Sequence, residues 1–129
     1  MADVLLAPHA NYVMAIRRIL DAGIPVKGMA HITGGGLVEN VPRILPEGLG
    51  AMIDRRTWTP QPIFSLMQTI GEIEDLEMHR TFNMGVGLVI AAPAGLQNDL
   101  AAAMAEFPAL QVWELGRVEP GDGVTFGGV

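Results

Sequence analysis

The sequence predicts one domain that combines α-helices and β-strands. Its 129 residues are enough to bury a single hydrophobic core, and half of them are hydrophobic, which is typical of an ordered fold. Apolar residues recur at helical spacing in some segments and at strand spacing in others. The order of these segments is α-β-α-β-α-α-β-α-β, and the pattern alone leaves open whether the strands pair in parallel, antiparallel or mixed fashion.

The first half of the chain predicts two helical segments and two strands in alternation. Apolar residues three and four apart predict a helix over about residues 9–22, which a glycine followed by a proline ends. The alternation over residues 26–32 predicts a strand that runs into three consecutive glycines. A short helix or irregular turn over residues 37–45, limited by two prolines, and a second strand over residues 49–54 follow.

The second half predicts three further helices and two strands. Prolines open the first and the last of these helices, since proline suits the first helical turn. The predicted segments are, in order, a helix from the prolines at 60 and 62 to Gly71, a short helix over 74–80, a strand over 86–91, a helix from Pro93 through Phe107, and a strand over 111–118. The glycine-rich tail from Pro120 is expected to form a hairpin or a frayed end.

Composition excludes several classes of protein. The formal charge of −6 argues against a general nucleic-acid binder, which needs a basic surface. The most apolar window, residues 86–92, is much shorter than the roughly 20 residues that span a bilayer, and the first residues lack the basic start of a secretory signal. The absence of cysteine excludes disulfides, and the three histidines lack metal-ligand spacing, so no metal site is predicted. A cytoplasmic domain is expected.

A glycine loop is the sharpest local feature. His31-Ile32-Thr33-Gly34-Gly35-Gly36 lies after an apolar strand and before a helix. Backbone N–H groups in such a loop can form a concave anion site, to which Thr33 could add a hydroxyl and His31 a titratable ring. The alternative is a flexible turn with His31 hydrogen-bonded at the end of its strand, and spacing alone gives neither interpretation the advantage.

Two further groups of polar residues could face this loop. Asn40 and Arg43 are three apart, so on a helical turn they share one face, and arginine offers a planar fork for phosphate or carboxylate. Taken alone, an exposed Glu39–Arg43 pair is the more ordinary interpretation. In the run over residues 77–87, Thr81 could contact a ligand, and Asn83 and Gly85 suit positive φ. A tight helix-to-strand connection that serves only geometry is the alternative there.

Together these motifs resemble a known enzyme family. The run Met29–Pro46 and the run Glu77–Gly87 look like the two signatures of phosphoribosylformylglycinamidine cyclo-ligase, also called aminoimidazole ribonucleotide (AIR) synthetase. The resemblance extends over nearly the whole chain. The remaining matching segments are Leu5–Pro8, Tyr12-Val13, Trp58 and Pro62–Phe64. His9 departs from the pattern, since the family usually has threonine there, and histidine carries no hydroxyl.

The resemblance implies a fold and a reaction. The fold is the C-terminal domain of that superfamily, an α+β fold with a mixed sheet flanked by helices and a partly ferredoxin-like topology. The family enzyme, which acts in purine biosynthesis, converts formylglycinamidine ribonucleotide and ATP to aminoimidazole ribonucleotide, ADP and phosphate. ATP phosphorylates the amide oxygen, which leaves as the ring nitrogen attacks.

The resemblance also implies a partner. The family enzyme is a longer, two-domain chain, and its N-terminal domain carries an Asp-Gly-Val-Gly-Thr-Lys-type segment tied to nucleotide and metal and most of the homodimer interface. No such segment occurs in these 129 residues. Residues 1–129 are therefore expected to be the C-terminal domain alone, holding neither ATP nor Mg²⁺ by itself and inactive in isolation.

Functional roles carry over only to matching positions. His31 and Arg43 are the candidate catalytic residues: His31 for proton transfer or for stabilising phosphoryl charge, Arg43 for orienting the substrate together with Asn40. Thr81 and Asn83 are further candidates on the facing turn. The predicted phosphate-binding loop consists of Thr33, Gly34, Gly35 and Gly36. Two alternatives to an enzyme domain are a non-catalytic phosphate- or ribonucleotide-binding module and a domain for interaction with a partner.

Overall fold

Helices and short strands alternate along the chain. The structure, a computed structural model, describes residues 1–128. The helices in this range are α1 (Ala2–Leu5), α2 (Val13–Asp21), α3 (Gly36–Asn40), α4 (Pro62–Gly71), α5 (Asp75–Thr81) and α6 (Gln97–Met104), with a 3-10 turn at Pro42–Ile44. The strands are β1 (Gly28–His31), β2 (Leu49–Asp54), β3 (Leu88–Ala91), β4 (Gly116–Pro120) and β5 (Val124–Gly127). No helix among these residues is long and apolar enough to cross a membrane.

The strands form two small sheets. β1 pairs antiparallel with β3, with Gly28 opposite Ala91 and His31 opposite Leu88. β2 is the central strand of the other sheet and pairs antiparallel with β4 and parallel with β5. This confirms the predicted α+β fold with mixed pairing and flanking helices, although the strands divide into two sheets.

Two clusters of buried side chains form the core. In the first, side chains of β1, β2 and α3 pack together, and Ile32 and Leu37 have no exposed surface at all. Because these two residues lie just before and just after the triple glycine, the glycine loop is anchored at both ends. In the second, Ala15 and Ile19 of α2 pack against Ala103 and Met104 of α6. Burial of apolar surface at about 25 cal/mol per Å² is the main force that holds both clusters.

Several predicted boundaries were wrong, for local as well as tertiary reasons. The strand predicted over 86–91 begins at Leu88, because the N–H of Val86 donates instead to Asn83 in the preceding turn. Of the strand predicted over 111–118, only the part from Gly116 pairs. The preceding residues instead place Trp113 and Leu115 against the first core cluster.

The tail and the terminal helices also differ from the prediction. The tail is not a hairpin, since β4 and β5 lie on opposite sides of β2. The helix predicted over 9–22 begins at Val13, after a four-residue helix that the pattern did not predict. The helix predicted from Pro93 begins only at Gln97, because Gly95 adopts a positive φ of 88° in a turn before it.

Asp54 and Arg56 form an ion pair at the end of β2. Arg56 donates from Nε and Nη2 to the two carboxylate oxygens of Asp54, at 3.0 and 2.8 Å, and its backbone N–H donates to Oδ1 at 2.9 Å. The side-chain hydrogen bonds, and then the backbone one, lower the pKa of Asp54 from 3.8 to about 2. Because the folded pKa is lowered, the pair stabilises the fold above pH 3.8, and this contribution is lost as the pH falls towards 2.

We expect a carboxyl-carbon NMR titration of Asp54 to give a midpoint near 2. Arg56→Ala should return this midpoint towards the ordinary value. Arg18→Ala, which removes a different surface pair with Glu106, should leave it unchanged. A wild-type midpoint near 3.8 would contradict the prediction.

Candidate functional site

The glycine loop makes a tight turn from β1 into α3. The N–H of Gly36 donates to the carbonyl of Thr33 at 2.9 Å, which closes the turn. Gly35 and Gly36 have φ of 99° and 56°, in the left-handed region where a side chain is strained. Gly34 has an ordinary φ and open space where a side chain would lie. Two of the three glycines are therefore required by backbone geometry.

Asn40 holds the loop from inside. Its buried side chain donates from Nδ2 to the carbonyls of Gly36, Gly34 and Thr33, at 2.9, 3.2 and 3.4 Å. Its Oδ1 accepts a hydrogen bond of 3.3 Å from Nη1 of Arg43, which is itself exposed. The predicted face shared by Asn40 and Arg43 is thus present, and Arg43 contacts Asn40, whereas the alternative Glu39–Arg43 pair is not found among residues 1–128.

The loop presents backbone donors to the outside. Asn40 donates to three of its carbonyls, and the fourth, that of Gly35, accepts the N–H of Glu39 at 3.0 Å. The N–H groups of Thr33, Gly34 and Gly35 donate to no protein acceptor within the described part of the chain. The Thr33 side chain is exposed beside them. Consecutive free N–H groups of this kind suit an anion such as a phosphate. The loop therefore has free backbone donors, and phosphate binding by Thr33, Gly34, Gly35 and Gly36 remains a prediction.

The two long sequence motifs meet in space. Gly36 packs directly against the backbone carbonyls of His79 and Phe82, at the end of α5. On the surface above this contact, Arg80 Nε lies 3.9 Å from a carboxylate oxygen of Glu39. The turn after α5 therefore lies beside the glycine loop.

The polar side chains of that turn form hydrogen bonds within the turn or with α5. Thr81 donates its hydroxyl to Glu77 at 3.1 Å, and Asn83 accepts the N–H of Gly85 at 2.9 Å. Gly85 has a positive φ of 89°, as predicted, but Met84 and not Asn83 is the other residue with positive φ, at 52°. Trp58 donates its indole N–H to the carbonyl of Met84 at 2.9 Å and so fixes the turn from the other side. Ligand contacts by Thr81 and Asn83 remain predictions.

His31 has a partner that the sequence did not predict. Its Nε2 lies 3.1 Å from Nε2 of His9, in the segment between α1 and α2, and the ring of Tyr12 packs edge-on against both imidazoles. Gly87 makes this possible, since a side chain there would collide with Tyr12. Burial raises the pKa of the Tyr12 phenol above its ordinary value of 10.0. The one signal in the sequence was the glycine within a predicted strand, which often marks close approach of another group.

The site can therefore offer three kinds of group to a ligand: free backbone N–H groups, the guanidinium of Arg43, and the imidazole of His31. No group of three or more His, Cys, Asp or Glu side chains that could hold a metal ion comes together in residues 1–128. A separate apolar cavity of about 470 Å³ lies between the two core clusters, and none of the loop residues lines it. Groups of these three kinds are able to bind an anion and to accept or donate a proton.

These features define the class of protein. The chain belongs to the family described as AIR synthase related protein, C-terminal domain, whose model matches residues 1–128. This confirms the family resemblance that the two motifs predicted.

The curated proteins that this chain resembles include several phosphoribosylformylglycinamidine cyclo-ligases. The one from Methylobacillus flagellatus is 52% identical over 118 residues, which cover 90% of this chain and 33% of that protein. The one from Burkholderia ambifaria is 47% identical over 120 residues, which cover 92% of this chain and 33% of that protein. The one from Bacillus subtilis is 41% identical over 128 residues, which cover 99% of this chain and 36% of that protein. The chain thus spans about a third of the length of these relatives.

Proposed function

We propose that this chain is the C-terminal domain of a phosphoribosylformylglycinamidine cyclo-ligase and forms one wall of the cleft for ribonucleotide and ATP. The reaction would join formylglycinamidine ribonucleotide and ATP to give aminoimidazole ribonucleotide, ADP and phosphate. Family membership and the names of the relatives support the proposal. The observation that carries it is the loop in which Asn40 binds the carbonyls and leaves three consecutive N–H groups free.

In this proposal the loop binds a phosphate group of one of the two substrates. The free N–H groups of Thr33, Gly34 and Gly35 would donate to phosphate oxygens, and the Thr33 hydroxyl would add a fourth donor. Donors that are fixed before the ligand arrives cost little reorganisation when charge develops. Arg43, held beside the loop through Asn40, would supply the positive charge that the backbone lacks.

His31 is the proposed proton-transfer group. It is exposed and lies two residues before the loop, at the end of β1. An imidazole can bind and release a proton, so a neutral His31 could accept the proton that the attacking nitrogen loses, and a protonated one could stabilise charge on the transferred phosphoryl group. Phosphoryl transfer depends mainly on positioning and electrostatics, which suits a site built of backbone donors and one cation.

The remaining parts of the active site are assigned to the N-terminal domain of the same enzyme. That domain would bind the nucleotide with its Mg²⁺ and contribute most of a homodimer interface, and the complete enzyme would work in the cytoplasm. By itself this chain should not turn over substrate.

The test measures ADP release that depends on formylglycinamidine ribonucleotide. We expect no release from the chain alone and release when a separately produced N-terminal domain is added. In the active mixture, His31→Ala and Arg43→Ala should each lower kcat/KM by about 100-fold, since each removes a positioned catalytic group. Arg117→Ala, which removes an exposed arginine on β4, is the matched control and should keep the full rate.

Two results would contradict the proposal. Steady ADP release by the chain alone would show that no second domain is needed. Binding of the ribonucleotide without turnover, in a mixture whose domains associate, would favour the non-catalytic binding module.

A further inference from the structure

His9 and His31 lie close enough to share one hydrogen bond. Their Nε2 atoms are 3.1 Å apart, and the ring planes cross at 76°. A neutral imidazole has one N–H donor and one bare acceptor nitrogen. If both Nε2 atoms carried a proton, the two protons would collide. If neither did, two lone pairs would face each other. One ring therefore carries its proton on Nε2, and the neutral partner carries its own on Nδ1.

The contact is built into the fold. The Tyr12 ring lies 5.7 Å from that of His9 and 6.0 Å from that of His31, between centroids, with its edge towards each. A side chain at Gly87 would come within 2.9 Å of His9 Nε2. The carbonyl of Gly87 in turn accepts the N–H of Ile32 at 2.9 Å, just beyond the paired residues of β1 and β3. The segment that carries His9, which is itself exposed, thus contacts the strand ends from which the glycine loop begins.

We propose that His9 is a positioning residue for His31, which it holds in one tautomer and one ring orientation through a shared Nε2 proton. With Nε2 of His31 engaged, Nδ1 is the nitrogen left for the substrate, and in residues 1–128 it has no hydrogen-bond partner. This inference rests on the proposed function, because His31 is the proton-transfer group there. It adds a residue from a segment that neither long motif includes.

The first experiment reads the tautomers directly and does not depend on activity. Proton–nitrogen correlation spectra of the imidazoles are recorded on the ¹⁵N-labelled chain as wild type, His9→Ala and His9→Gln. The wild type should show one of the two rings protonated at Nε2 and the other at Nδ1. In His9→Ala, His31 should become a mixture of tautomers, whereas the side-chain amide in His9→Gln should keep a single one.

The buried ring of His79 provides an internal control. Its Nδ1 bonds to the carbonyl of Asp75 at 2.9 Å, so its signals should be the same in all three proteins and show that the fold is intact. The same His31 tautomer in wild type and His9→Ala would overturn the proposal.

The second experiment measures turnover in the mixture with the N-terminal domain. His9→Ala should lower kcat by about 10- to 100-fold, as expected for a misplaced catalytic group, with KM within about twofold. His9→Gln should recover most of the rate, and Met14→Ala, an exposed change on neighbouring α2, should keep it. A His9→Ala enzyme at full rate, or a His9→Gln enzyme as slow as His9→Ala, would overturn the proposal. An inactive wild-type mixture would count against the proposed function. The spectra would still show whether His9 determines the tautomer of His31.

Discussion

Gly36→Ala is expected to destabilise the domain by at least about 3 kcal/mol, because an added side chain has no room and the backbone there is strained. Its Cβ would overlap the carbonyl of His79 and lie 2.7 Å from that of Phe82. These are backbone atoms, so neither can move without shifting α5. The positive φ of 56° adds a strain that glycine avoids. Urea unfolding followed by circular dichroism measures the loss.

Gly34→Ala is the matched control, in the same loop and with the same added methyl group. No atom lies within 4 Å of its position and its φ is ordinary, so the free energy of unfolding should change by less than about 0.5 kcal/mol. Equal losses in the two variants would contradict the close packing of α3 against α5.

Asn40→Asp is expected to cost about 2–4 kcal/mol at neutral pH. The substitution keeps the shape of the side chain but replaces its only donor by an oxygen. The three carbonyls that now accept from Nδ2, those of Thr33, Gly34 and Gly36, would face a negative charge. The loop should open, and phosphate binding should weaken together with stability.

The loss should depend on pH in a defined direction. A carboxyl group buried among carbonyl oxygens is disfavoured when charged, so its pKa in the folded state rises above its value in the unfolded chain. The penalty is therefore greatest above the folded pKa and shrinks as the pH falls through it, because the protonated group can donate one hydrogen bond.

Asn98→Asp makes the same change at an exposed position in the first turn of α6. There a carboxylate is favourable by about 0.3–1 kcal/mol, so this control should be as stable as the wild type or slightly more. Unfolding curves of both variants at pH 7 and pH 4 make the comparison. A pH-independent loss in Asn40→Asp would contradict the assigned role of the amide.

The sequence predicted those elements whose signals are local. The bounds of β2 and the end of α4 agree with the prediction, because a short apolar run and a closing glycine are properties of neighbouring residues. The strand β5 was missed, since Val124–Gly127 is short and becomes a strand only by pairing with distant β2. The division into two sheets likewise depends on which distant strands meet, and spacing along the chain does not encode this.

At the candidate site too, the sequence predicted local features but not contacts between distant segments. Three consecutive glycines after a strand predicted the loop, and the structure gives it free N–H groups. The inward direction of the Asn40 amide could not be predicted, because the face of a short helix does not determine which end of a side chain meets the loop. The contact between His9 and His31 joins segments 22 residues apart through a tertiary fold, and no pattern in either segment indicates it.

The strand pairing also determines when this domain can fold during synthesis. Within residues 1–128, no strand pairs with the next one along the chain: β1 pairs with β3, and β2 pairs with β4 and β5. A ribosome must therefore deliver residues through Ala91 before the first sheet can close, and nearly the whole domain before the second can. Until then the two apolar strands have no partner, and such non-local pairing is slow and prone to association with other chains. The helices, whose backbone hydrogen bonds join neighbouring residues, are the elements that can form first on the nascent chain.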